Sequence, residues 1–138
     1  MPPVDSVVLV LWLLGVVNLA NGVWMLADPA GWYHGLPAAV PDTGPLNLHF
    51  VRDVGGIYVT MAGALFWAGA RRAQRVPLVA TVLCFHLLHA GAHALDTLHG
   101  RLPVSHWLID FPGVYLPTLV LAVLLALFAR APHSEHRP

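Results

Sequence analysis

Apolar residues fall in four long runs, at about 4–27, 46–70, 76–98 and 113–129, separated by short segments rich in Pro, Gly and polar side chains. Each run approaches the roughly 20 residues that a helix needs to cross a bilayer. Nothing alternates with the period of two that a membrane barrel strand requires, and backbone in hydrocarbon must satisfy its own hydrogen bonds, so the runs predict helices. Asp5 or Ser6 is placed to cap the first helix, and Asp28-Pro29 stops it. Pro45 and Pro77 fall where the second and third helices begin, at first-turn positions that lack a needed N–H anyway. Pro112-Gly113 interrupts the last run, so 105–111 is expected to form a short interfacial helix or a kinked extra turn. The predicted fold is all-α: an integral membrane four-helix bundle in one transmembrane domain, 1–130, with a polar tail at 131–138.

Composition strengthens this picture. Of 138 residues, 57% are hydrophobic and only 10% charged, where a soluble domain carries about 25% charged. So few charges could not cover a water-exposed surface, and disorder needs the opposite balance. The net charge is +0, so there is no basic field to recruit nucleic acid. The single Cys84 excludes an internal disulfide and a thiolate metal cage. The first run carries Asp5 in place of a basic leader region and exceeds the length of a signal-peptide core, so it is expected to stay as a span.

All seven basic residues are Arg. Arg71, Arg72, Arg75, Arg130 and Arg137 would lie on one side of the membrane, against Arg52 and Arg101 on the other. Basic residues accumulate in cytoplasmic segments, which predicts both termini in the cytoplasm of a cell whose inner (plasma) membrane holds the protein. Residues 28–45 and 99–112 then face outward.

Against this apolar background the polar positions carry the chemistry. His86, His89, His93 and Asp96 follow spacings that put them on one narrow stripe of the third helix. His49 and Asp53 share a face of the second, with Arg52 beside them as a partner for Asp53 or Asp96. Asn21, His99, His106 and Asp110 fall at the same outer level and complete the candidate set as supporting residues. Ionisable side chains in a span are costly and normally mark a functional site or a bundle interior. Asn18, with Gly15 and Gly22, reads as a small polar stripe for close packing, and Gly56, Thr60 and Ala64 offer a second.

Imidazole and carboxylate without thiolate suit a transition metal such as iron, copper or zinc. The expected site has His86, His89, His93 and Asp96 as one wall, closed by His49 and Asp53. An alternative is haem b between two facing histidines such as His49 and His89, making the protein an electron carrier. A third reading is a proton or ion path. In a fourth the stripe holds no cofactor and packs helices, or meets a partner in a homo-oligomer or membrane complex. There is no H-E-x-x-H, phosphate loop or nucleophile motif, and the only Glu is Glu135 in the tail.

The segments NLHFVRDVGGIYVTMAGALFWAG and FHLLHAGAHALD resemble small four-span bacterial membrane proteins, broadly DoxX-like, over about half the chain. The resemblance implies a small integral membrane bundle, sometimes tied to redox metabolism. It carries no agreed catalytic residues over to this chain. The combined expectation is a metal-binding membrane protein, a redox protein or a subunit of a membrane redox complex.

Overall fold

A computed structural model describes residues 5–130; the tail with His133, Glu135 and His136, and the first four residues, lie outside it. The described residues are helical, without strands: α1 Ser6–Ala27, α2 Pro29–Gly35, α3 Leu48–Ala70, α4 Arg75–Leu98, α5 His106–Ile109 and α6 Leu116–Arg130. Short 3-10 turns at Val40–Thr43 and Arg72–Gln74, and a π turn at Phe111–Tyr115, complete the chain. Among the described residues, three stretches are long and apolar enough to cross a membrane: Ser6–Ala27, Arg72–Leu98 and Phe111–Arg130. The second predicted span, α3, is as long as the others but falls short in apolarity, because it carries His49, Arg52, Asp53 and Thr60 along its outward side.

Helix ends follow local chemistry. Asp5 caps α1, accepting from the Val7 N–H at 3.1 Å. Asp28 ends α1 and caps α2, accepting from the Gly31 N–H at 2.9 Å. Pro77 lies in the first turn of α4. Pro45, expected to open α3, precedes the helix instead: Asn47 is the cap, accepting from the His49 and Phe50 N–H groups, both at 3.1 Å. The side-chain carbonyl satisfies two donors that a proline at the first turn would have left open.

The four long helices pack as two hairpins, α1 with α3 and α4 with α6, joined where α3 meets α4. The α1–α3 contact is the closest. A Cβ at Gly22 would lie 2.7 Å from the Gly55 carbonyl oxygen, and one at Gly55 would lie 2.8 Å from Met25 Cβ, so the two backbones approach to a distance only glycine allows. Gly15, Asn18 and Gly22 are all buried, as a packing stripe requires. Gly56 and Thr60 instead point away from the bundle. Leu11, Leu65, Val79, Val82 and Leu121 fill the core between the hairpins. The Thr118 hydroxyl fastens α6 to α4, contacting the Val114 carbonyl at 2.7 Å and the His86 carbonyl at 3.3 Å.

Candidate metal centre

One end of the bundle holds the ends of α1, α4 and α5 and the starts of α3 and α6. Here α4 terminates in a glycine cap. Gly100 adopts φ 70, and the Arg101 N–H donates to the Asp96 carbonyl at 2.8 Å, the left-handed residue that turns a chain back at a helix end. The reversal carries α5 over the end of α4. The Asp110 N–H donates to the His106 carbonyl at 2.9 Å, so these residues are one helical turn apart on the same side. Beyond Asp110 the chain opens into the π turn: the Asp110 carbonyl accepts from the Val114 N–H at 2.8 Å and, five residues on, from the Tyr115 N–H at 3.4 Å, and Pro112 contributes no donor. Such turns are frequent at functional sites.

The result is a buried cluster. His93 Nδ1 lies 2.7 Å from Asp110 Oδ2, and His106 Nδ1 lies 3.1 Å from the same oxygen. The side chains of His106 and Asp110 are 0% and 1% exposed. One ligand atom each from His93, His106 and Asp110 lies within 4.8 Å of the others, close enough for a shared metal ion. The second nitrogen of His106, Nε2, faces Asp42 Oδ2 at 3.2 Å. Both nitrogens of this ring therefore oppose carboxylate oxygens, and both hydrogen bonds form only when each nitrogen carries a proton.

Asp42 comes from the 3-10 turn between α2 and α3. That segment is held in shape by Pro37, Pro41 and Pro45, by Ala39 in the left-handed region at φ 46, and by the Tyr33 hydroxyl donating to the Gly44 carbonyl at 2.6 Å. Asp42 was absent from the expected set. A turn signal, Pro41-Asp42-Thr43-Gly44, on the side where His106 was expected is the only trace of it in the sequence.

The remaining candidates separate. Of the three histidines on the α4 stripe, His89 and His93 touch each other, and Phe85 lies between His86 and His89. The rings of His89 and His93 meet edge to face at 4.7 Å, and His89 stacks on Phe85 at 5.8 Å. His86 is 1% exposed beside Tyr58, its two ring nitrogens without hydrogen-bond partners among the described residues. Asp96 leaves the stripe: it lies in the last turn of α4 and pairs with Arg101 at 2.9 Å. His49 and Asp53 pair with each other at 3.5 Å, with side chains 88% and 62% exposed, outside the buried group. The expected Arg52 ion pair does not form with either Asp53 or Asp96; neighbouring helical residues point about 100° apart, and Arg101 reaches Asp96 first. Asn21 accepts from Trp32 Nε1 at 2.8 Å, tying α2 to α1. His99 Nδ1 lies 2.8 Å from the Leu95 carbonyl, at the end of α4. His106 and Asp110, expected in supporting roles, are instead the centre of the cluster.

No family model, no curated protein and no solved structure matches this chain.

Proposed function

We propose that this chain is a multi-pass membrane protein that binds a divalent transition metal near the outer face of the membrane. Four helices cross, with both termini on the side of Arg71, Arg72, Arg75 and Arg130. This topology is supported by the three apolar spans and by the Arg asymmetry between the two ends. An inner (plasma) membrane location and a kinship with DoxX-like proteins are part of the same reading.

The observation that carries the metal reading is the convergence of His93, His106 and Asp110 on one buried point. Two imidazoles and a carboxylate are a donor set for iron or zinc that leaves coordination positions open, as sites that bind or transform a further ligand do. Asp42 behind His106 Nε2 supports it further, because metal-bound histidines commonly donate their other N–H to a carboxylate that fixes ring orientation. A metal at His106 Nδ1 would take the nitrogen's lone pair in competition with protons, so acidification releases metal. Such a metal would supply Lewis-acid or redox chemistry, making the protein an enzyme or a subunit of a membrane redox complex.

Elemental analysis of gently purified protein tests this. One metal per chain, lost in His93→Ala and in Asp110→Ala, is the expected result. A second reading, a structural or accessory protein, is favoured by the cluster satisfying its own hydrogen bonds; it predicts substoichiometric metal and unchanged metal content in both variants. Topology has its own test. On a Cys84→Ala background, Thr43→Cys and Ser105→Cys label with an impermeant thiol reagent in intact cells, and Gln74→Cys labels only after lysis.

A further inference from the structure

The sides that the long helices turn away from the bundle differ sharply. On α1, α4 and α6 the exposed residues are large and apolar, among them Leu13, Val17, Leu88, Leu119 and Val123. These are side chains that acyl chains solvate. On α3 the outward side carries His49, Asp53, Gly56, Thr60 and Gly63, with Arg52 at its border. At about 100° per residue these six span an arc of roughly 100°, opposite the buried Val51, Gly55, Tyr58, Ala62 and Leu65. The polarity that denies α3 a place among the membrane-capable helices therefore lies on its uncovered side. Arg52 makes no ion pair among the described residues, and Asp53 has only the His49 contact at 3.5 Å.

We infer that this face of α3 docks on the same face of a second copy of the chain, forming a two-fold dimer; the inference rests on the membrane reading above. Charge decides for a second copy. Each protomer offers an Arg52 without a partner and an Asp53 with a weak one at neighbouring positions of the same face. A two-fold axis along the membrane normal brings α3 of both copies together in parallel and sets Arg52 of each against Asp53 of the other. Like-sign neighbours are thereby avoided, and the contact is self-complementary as a two-fold interface must be. Below the charges, Gly56, Thr60 and Gly63 leave a shallow, side-chain-poor strip, which the exposed Trp67 closes one turn beyond Gly63. A Cβ at Gly56 or Gly63 would meet nothing within 4 Å in the protomer. That space lets two backbones approach, as small residues do between spanning helices. Phe50 and Ile57, both exposed, flank the strip and supply apolar contact at its edge.

The open space makes the test clean, because bulk added there leaves the protomer undisturbed. In native membranes on the Cys84→Ala background, Thr60→Cys and Gly63→Cys should cross-link under mild oxidation to twice the protomer mass, and Leu88→Cys on α4 should not. Gly56→Leu and Gly63→Leu should each lower the dimer fraction about tenfold without lowering the amount of protein extracted from membranes. Arg52→Asp or Asp53→Arg alone should abolish dimer, and the two together should restore it. A protomer that is absent from the membrane fraction refutes the membrane reading itself. A membrane-integrated protein that stays monomeric, an adduct at the mass of a different protein, or a double swap no better than either single change overturns the dimer alone.

Discussion

Two His-x-x-x-Asp pairs lie at the same end of this molecule and meet opposite fates. His49 and Asp53, on α3, face outward and approach only to 3.5 Å. His106 and Asp110, on α5 and its end, are wholly enclosed and lie 3.1 Å apart. Helical spacing brings both pairs together equally well. What differs is the surroundings: the second pair is roofed by a returning segment and meets His93 from below and Asp42 from the side. Removed from water, its carboxylate has two imidazole donors and no substitute for them. A pair becomes a site when other segments of the chain close around it, and the spacing alone carries no such information.

The sharpest way to break this comparison is to delete the two carboxylates in turn. Asp110→Ala leaves two imidazole donors without their acceptor in an enclosed space, so it should lower stability by about 3–5 kcal/mol. Asp53→Ala, which within its own protomer loses only the exposed His49 contact, should leave the stability of the monomeric form within about 0.5 kcal/mol. Unfolding of the detergent-solubilised protein in increasing denaturing detergent reads both. A somewhat smaller effect is expected at the side of the cluster: Asp42→Asn keeps the shape but weakens the orientation of His106, and should reduce metal affinity about 10–100-fold, measured by competition with a chromophoric chelator. Next, Asp96→Asn removes an ion pair that is largely solvent-exposed and should change stability by less than about 1 kcal/mol, with metal affinity unchanged. The smallest effect belongs to His49→Ala, which should alter neither metal content nor thermal midpoint measurably, although its side chain matches His106 in type and in spacing to an aspartate.

The same contrast explains what could be read from the chain alone. The long helices were legible because apolar runs, Asp5, Asp28-Pro29 and Pro77 act locally, within a turn or two of where they stand. The start of α3 was displaced because Asn47 captures two N–H groups with its side chain, a stronger local device than Pro45. That these polar residues gather at one end of the helices was legible too, from the direction in which successive helices run. The membership of the cluster was not. It depends on Gly100 reversing the chain, on Arg101 drawing Asp96 out of the stripe, and on which face of α3 is occupied by α1. Each is a consequence of how segments meet, and periodicity within one helix is blind to it. Gly56 and Gly22 illustrate the point: both look like packing glycines in sequence, yet a Cβ at Gly22 collides with Gly55 and one at Gly56 meets empty space.

The contact between Asp42 and His106 has a temporal meaning as well. His93, His106 and Asp110 all belong to the second hairpin and lie close along the chain, so they can find one another as soon as α4, α5 and α6 have been made. Asp42 belongs to the first hairpin, and its contact with His106 spans a sequence separation of 64. Contacts of long separation form late, after the entropy of closing the intervening chain has been overcome. The Asp42–His106 contact therefore completes only when the two hairpins dock, and it serves as the molecule's own record that assembly has finished.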